Sequence, residues 1–121
     1  LYAVWELAYW IPRISNISIN RCNPDGSVNE YGEQAAVSFN WECCQIIGAN
    51  PVKEIAVSYA QNGTSSFTDS KVVVSGNSGK ASIIIGDDTL SIDNEYIIRI
   101  TVIDSKGGSN SNDFKQICIY N

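Results

Sequence analysis

Apolar and polar residues alternate along much of this chain with the two-residue period that is typical of β-strands. The alternation is cleanest in two segments, Gln34–Cys43 and Glu54–Tyr59. In the first of them Val37, Phe39 and Trp41 share one parity, and polar residues hold the other. Each segment therefore predicts a strand with one buried face. No stretch of the chain repeats with the period of a helix.

Five more segments read as strands because they are apolar or alternating and lie between turn residues, of which Asn62-Gly63 is a strong hairpin signal. Pro12 and a break in the period near Ser15–Asn16 make the first of them an edge strand. The polar segment Ser105–Asn112 predicts a loop before the last strand. The five predicted strands are Arg13–Arg21, Phe67 with Val72–Val74, Lys80–Ile85, Tyr96–Ile103 and Gln116–Tyr120.

Short strands at regular spacing, with no helices between them, predict an all-β protein: an antiparallel β-sandwich of about seven strands. A chain of 121 residues is long enough for one domain with a single core. We assign residues 1–11 to an N-terminal linker or extra strand and residues 12–121 to the sandwich. The chain begins at Leu1 and contains no Met, which predicts that it is a piece of a longer protein.

The charge pattern argues against two classes of partner. The net charge is −5, and the eight basic residues are scattered along the chain. Nucleic acids and anionic membranes need clustered Lys and Arg. The aromatic segment Leu1–Pro12 is too short to cross a membrane and is interrupted by Glu6. We expect no nucleic-acid binding and no membrane insertion.

Residues that could carry chemistry are sparse. The chain has no histidine, which removes Ser-His and Cys-His catalysis and the usual zinc sites. We predict no enzymatic activity, no cofactor and no metal. One alternative stays open in the first loop, where Asp25, Asn29 and Glu30 could bind calcium. A hairpin whose polar side chains bond to their own backbone is the favoured interpretation.

The chain has four cysteines, Cys22, Cys43, Cys44 and Cys118. If the first two strands are antiparallel, Cys22 lies at one end of the sandwich and the vicinal pair at the other. Adjacent strand residues face opposite sides, so only one of that pair points inward. We take the last strand to run opposite to the first, which leaves a bridge from Cys43 or Cys44 to Cys118 as the only one that geometry allows. We predict that all four are reduced.

Three local patterns together resemble fibronectin type III domains. A tryptophan lies near the end of the second strand, a tyrosine closes the alternating third strand, and Leu90 precedes Tyr96 by six residues. The last spacing matches the tyrosine corner, in which a phenol bonds to the backbone upstream of it. The resemblance implies an immunoglobulin-like, fibronectin III-like sandwich with a structural core that includes Trp41, Val57, Tyr59, Leu90, Tyr96, Ile98 and Ile100.

Nearly the whole chain also resembles a module of minor structural and tail-fibre proteins of siphoviruses, or prophages, of Gram-positive bacteria. The likeness is carried by Pro12 before an Ile-rich strand, by Arg21–Asn23 leading to Asp25-Gly26, and by Arg99–Asp104. It implies a non-catalytic structural or display module of a phage tail or tail tip, for assembly or host-surface contact. The implied partners are other tail proteins or neighbouring domains. The implied location is the virion, after assembly in the host cytoplasm.

A second hypothesis is a carbohydrate-binding or adhesion module of a secreted or cell-surface bacterial protein. Exposed aromatic rings would stack on a host-surface glycan or contact a partner. The location would then be extracellular. The candidate contact residues are Tyr2, Trp5, Tyr9, Trp10 and Tyr31.

Overall fold

Seven antiparallel strands and no helix make up the part of the chain that the computed structural model describes, residues 9–46, 48–86 and 89–116. The strands are β1 (Arg13–Cys22), β2 (Gln34–Glu42), β3 (Val52–Gln61), β4 (Thr68–Val72), β5 (Ser78–Ile85), β6 (Tyr96–Asp104) and β7 (Ser109–Gln116). One sheet has the order β1-β2-β5, and the other has the order β4-β3-β6-β7. The all-β class with seven strands is confirmed, and the two sheets fit a β-sandwich.

The core lies between the sheets and follows from the alternation in the sequence. In β2 the inward residues Val37, Phe39 and Trp41 are at most 4 % exposed. The opposing wall comes from β3 and β6, the inner strands of the four-stranded sheet. Of the residues assigned to the core, Val57, Leu90, Ile98 and Ile100 are fully buried, Trp41 and Tyr96 are nearly so, and Tyr59 is half-buried against the cluster.

The sandwich has two ends, which we name after the buried charged residue at each. The Asp104 end holds the start of β1 and the ends of β2 and β6, and the Arg21 end holds the end of β1 and the starts of β2 and β6. A strand of 10 residues separates the two ends by roughly 30 Å. Since β7 is antiparallel to β6, β1 and β7 both run from the Asp104 end to the Arg21 end.

The last strand differs from the sequence prediction. β7 begins at Ser109, inside the segment expected to be a loop, and pairs with β6 along its whole length. Serine and asparagine favour turns by local hydrogen bonding, but here they bond across the sheet. The hydroxyls of Thr101 and Ser111, for example, are 2.8 Å apart. Beyond Gln116, the strand predicted as far as Tyr120 lies outside the described residues.

Three other strands have bounds that differ from the prediction by two residues or more at one end. β3 begins at Val52 and β5 at Ser78, because their antiparallel partners extend the pairing beyond the alternating segments. β4 starts at Thr68 and ends at Val72. Val73, predicted to lie in that strand, is fully exposed in the loop that follows.

β1 is an edge strand, as its proline and broken period predicted. Its register with β2 shifts between Ser15 and Ser18. Asn16, inside the shift, has a φ of 51°, and asparagine tolerates this left-handed conformation better than most residues do. The irregularity interrupts the outer edge of β1.

Candidate functional site

A buried polar cluster occupies the Asp104 end of the sandwich, where β6 turns into β7. Asp104 is fully buried, and its carboxylate accepts hydrogen bonds at both oxygens. Oδ1 accepts the backbone N–H of Lys106 at 3.0 Å and that of Gly108 at 2.8 Å. Oδ2 accepts Nδ2 of Asn50 at 3.1 Å and the hydroxyl of Tyr9. We call Asp104, Asn50 and Tyr9 the Asp104 cluster.

Asn50 links this carboxylate to the loop between β2 and β3. The residue is fully buried, and its Nδ2 also donates to the carbonyl of Cys44 at 2.9 Å. Its Oδ1 accepts the N–H of Lys106 at 3.1 Å, and its own carbonyl accepts Nε2 of Gln45 at 2.8 Å. The β2–β3 and β6–β7 loops are therefore joined through one side chain.

The carboxylate of Asp104 is held in its ionised form. Burial alone would raise its pKa, but the hydrogen bonds from Tyr9, Asn50, Gly108 and Lys106 outweigh burial and lower the pKa of Asp104. A carboxylate offers about four acceptor sites, and four donors already use them. The group therefore fits a structural anchor and not a general base, which needs a free acceptor for a substrate proton.

The Asp104 cluster also fixes the segment that leads into β1. Tyr9 lies so close to Gly108 that a Cβ on the glycine would come within 1.5 Å of Tyr9 Oη. Three residues further on, the carbonyl of the buried Pro12 accepts Nδ2 of Asn110 at 2.9 Å. We call these contacts of Tyr9 and Pro12 the N-terminal clamp. Residues 9–12 lie on the sandwich.

The N-terminal clamp is expected to open at high pH. Burial, the hydrogen bond to Asp104 and the negative charge of Asp104 raise the pKa of Tyr9 to about 12. The folded-state pKa lies above the unfolded value, so the stability from the clamp is fully present below pH ~10 and is lost as pH rises through about 12. An absorbance titration of tyrosinate, with the Tyr9→Phe curve subtracted, should show one tyrosine ionising near pH 12.

Gly108→Ala is the control for this titration, because a methyl group there would collide with the hydroxyl of Tyr9, while the backbone N–H of residue 108 can still donate to Asp104. In that variant Tyr9 should ionise near pH ~10, as a free tyrosine does. An unchanged titration in Gly108→Ala would contradict the clamp.

At acid pH the dependence of stability on pH has the opposite direction. The folded-state pKa of Asp104 is lowered, so Asp104 stabilises the fold at pH values above its unfolded pKa. This contribution is lost as the pH falls through the folded-state pKa of Asp104.

A buried arginine organises the opposite end. Arg21 is 3 % exposed, and its guanidinium donates to the carbonyls of Gly32 at 2.9 Å and Leu90 at 2.6 Å. A third bond reaches the carbonyl of Ser91 at 3.1 Å. These carbonyls belong to the loops that precede β2 and β6, so Arg21 ties both loops to β1. The sequence places Arg21 in a segment that carries the likeness to tail proteins but does not predict this buried structural role.

Next to Arg21, the phenol of Tyr96 bonds back to the segment that precedes β6. Its Oη accepts the N–H of Ser91 at 3.0 Å and donates to the carbonyl of Thr89 at 3.2 Å. Leu90 lies between those two residues and is fully buried. This is the hydrogen-bond pattern of a tyrosine corner. It fixes the turn into β6.

Tyr96→Phe should lower the free energy of unfolding by about 1–2 kcal/mol, because it removes both bonds of the phenol and keeps the buried ring. Urea unfolding of the two proteins measures the difference. Tyr59→Phe is the control, since Tyr59 is half-buried and its hydroxyl has no partner among the described residues. Equal losses in the two variants would contradict the role of the Tyr96 hydroxyl.

The three candidate aromatic contacts that the structure describes do not form one platform. Tyr9 is held in the N-terminal clamp, and the ring of Trp10 lies 3.8 Å from the guanidinium of Arg13. Both lie at the Asp104 end, whereas Tyr31 is 56 % exposed in the β1–β2 loop at the Arg21 end. Tyr2 and Trp5 lie outside the described residues.

The three described cysteines are buried free thiols. As predicted, Cys22 lies at the Arg21 end and the vicinal pair at the Asp104 end. Cys43 belongs to the core cluster between the sheets and Cys44 does not, although both are at most 1 % exposed. β2 ends at Glu42, so the alternation of a strand does not extend to the pair.

The direction expected for the last strand is wrong. β7 runs in the same direction as β1, and Gln116 pairs with Tyr96 at the Arg21 end, away from Cys43 and Cys44. Cys118 itself lies outside the described residues. The strand direction from which a bridge between the vicinal pair and Cys118 was judged possible is therefore not the one observed.

The thiols of Cys22 and Cys43 are poor nucleophiles near neutral pH. Burial raises the pKa of Cys22, and the charge of Asp25 adds to the effect. Burial likewise raises the pKa of Cys43, with contributions from Asp104 and Glu42. A thiol must ionise before it reacts or binds metal, so these side chains fit core residues.

The β1–β2 loop uses its polar groups internally. Asp25 Oδ1 accepts the hydroxyl of Ser27 at 2.6 Å and its N–H at 2.9 Å, and these bonds lower the pKa of Asp25. Asn29 donates to Asn23 at 2.8 Å and accepts the N–H of Tyr31 at 3.0 Å. Within the described ranges, no group of three or more Cys, Asp or Glu side chains is placed to hold a metal ion. These contacts fit a hairpin whose polar side chains form hydrogen bonds within their own loop.

Comparison of the chain with protein-family models, with characterised proteins and with solved structures gave no match. In the part of the chain that the structure describes, no helix is long and apolar enough to span a membrane.

Proposed function

We propose that this chain is a non-catalytic, fibronectin type III-like module that serves as an in-line spacer or display element in a phage tail or tail-tip protein. The observation that carries the proposal is the common direction of the outer strands. β1 starts at the Asp104 end, and β7 reaches the Arg21 end. A polypeptide that follows this path enters at one end and leaves at the other, as a domain in a linear array must.

The strand pairing supports the fibronectin type III assignment. In immunoglobulin constant domains the fourth strand joins the sheet of the first, second and fifth strands. Here β4 pairs with β3 instead, in the other sheet. The buried Trp41 and the bonds of Tyr96 to Thr89 and Ser91 add to the likeness.

The Asp104 cluster and the buried Arg21 with its hydrogen bonds support a mechanical role. The N-terminal clamp holds the strand through which load would enter, and Arg21 holds the loops at the opposite end. A sandwich with an interdigitated core tends to unfold as one unit, because its sheets and core must separate together. Two groups that could do chemistry are not available to a substrate, since Asp104 has four donors and the thiol of Cys43 is buried.

The likeness to tail proteins gives the proposal its setting. Its partners would be other tail proteins or neighbouring domains, and its location the virion. The adhesion hypothesis has less support, because Tyr9 and Trp10 contact their own chain and Tyr31 lies at the far end.

The complete open reading frame and its genomic neighbours test the setting. Flanking tail genes are the expected result, and a secretion signal with a hydrolase domain on the same chain would overturn it. A pull-down of the purified chain on bacterial cell walls tests the role, with an unrelated wall-binding module as positive control. No retention is expected. Retention that Tyr31→Ala abolishes would support the adhesion hypothesis.

A further inference from the structure

The outer edge of β5 differs from the other free strand edges of the sandwich. β5 has eight residues, contains no proline and pairs with β2 without a register shift from Ser78 to Ile85. Among the described strands it is an edge of the three-stranded sheet, with β2 on one side only. A regular edge of this kind presents unpaired backbone groups to any strand that approaches it.

The other three edges carry features that obstruct pairing. β1 has the irregularity around Asn16, and its start is tied to β7 by the bond from Asn110 to Pro12. β4 has only five residues, among them the exposed Asp69 and Lys71. β7 carries an exposed carboxylate at its centre, Asp113, which binds Arg99. Short length, bulges and charges are the usual protections of a sheet edge.

We propose that β5 pairs in antiparallel fashion with β5 of a second copy of this chain, around a two-fold axis at Ser82. The pairing does not rest on the proposed function. In this register Ser82 lies opposite the partner's Ser82, and Lys80 lies opposite the partner's Ile84. On the inner face Ala81 lies opposite the partner's Ile83. A two-fold contact requires such a self-complementary edge.

Side-chain size and charge favour a second copy of this chain as the partner of β5. Lys80 is the only charged residue of β5, and the register keeps the two lysines apart. Its aliphatic stem would cover Ile84, which is 41 % exposed in the single chain. The small Ala81 leaves room for the half-exposed Ile83, and two facing serine hydroxyls can share a hydrogen bond.

The contact should be weak in the isolated chain. One pair of short strands buries less than the roughly 1,200 Å² of a standard interface, so dissociation is expected at high micromolar concentrations. Sedimentation equilibrium up to about 1 mM should show reversible association of the 13.2 kDa chain to twice its mass. A chain that remains monomeric over this range would overturn the proposal.

Two sets of variants test the place and the register. Ser82→Lys puts two like charges opposite each other and should weaken association about tenfold or more. Ser18→Lys is its matched control, on the same exposed face but at the β1 edge. Association that both substitutions weaken equally, or neither weakens, would overturn the β5 contact.

Ile84→Lys should also weaken association, because the new lysine faces Lys80 of the other copy. Adding Lys80→Glu should restore it through two opposite-charge pairs. Circular dichroism confirms that each variant is folded, and both sites are exposed. Association without this rescue would show a contact in another register and would overturn the axis at Ser82.

Discussion

Asp104→Ala is expected to lower the free energy of unfolding by about 3–4 kcal/mol, although it removes only a few buried atoms. The substitution removes one acceptor from four donors: two backbone N–H groups, the amide of Asn50 and the hydroxyl of Tyr9. The N–H of Lys106 and the amide of Asn50 each keep a second acceptor. Each buried donor that loses its acceptor costs about 1–3 kcal/mol, and Tyr9, which is partly exposed, costs least. Urea unfolding with a shared m-value measures the loss.

Asp113→Ala is the matched control, because this carboxylate is exposed in a surface pair with Arg99. Its loss should stay within about 1 kcal/mol, as is usual for surface salt bridges. Asp104→Asn should fall between the two, since an amide oxygen can still accept the N–H groups of Lys106 and Gly108. Similar losses for Asp104→Ala and Asp113→Ala would contradict the buried anchor.

Trp41→Ala is expected to cost about 3–5 kcal/mol, the range for truncating a large buried aromatic. Trp41 is 4 % exposed, and Gly79 leaves the space for its ring: a Cβ there would lie 3.3 Å from Cζ2. Thermal and urea unfolding give the value. Val73→Ala, at a fully exposed apolar residue, is the control and should stay within about 0.5 kcal/mol.

Trp41→Phe distinguishes the contribution of the buried aromatic ring to stability from that of the indole N–H group. Nε1 of Trp41 is buried and has no hydrogen-bond partner among the described residues. The phenylalanine variant therefore leaves no acceptor unpaired and should lose much less stability than the alanine variant. A loss as large as that of Trp41→Ala would contradict this account of the site.

Alternation predicted the fold where one face of a strand is apolar. In β2 the parity of Val37, Phe39 and Trp41 indicates both the strand and its buried side, because the side chains of a strand alternate between core and solvent. β7 gave no such signal. Its first half is Ser and Asn, and it forms a strand because β6 offers a partner along its whole length.

The buried clusters could not be read from the sequence, because their partners are distant along the chain. Tyr9 and Asp104 are 95 positions apart, and Asn50 and Asp104 are 54 apart. Asp104 ends an apolar segment before two glycines, which is an ordinary setting for a turn residue. Arg21 likewise ends the predicted edge strand Arg13–Arg21, a place where a charged side chain is expected to be exposed. Its burial depends on carbonyls of two loops whose positions only the folded chain defines.

The buried thiols provide separate reporters of local unfolding at the two ends. Cys22 is sealed at the Arg21 end, and Cys43 and Cys44 are sealed at the Asp104 end. An alkylating reagent reaches each only when its own end opens, so labelling rates followed by peptide mass spectrometry give an opening free energy for each end. In Gly108→Ala the vicinal pair should label faster while Cys22 keeps its protection. The same thiols would also reveal which end yields first in heated protein.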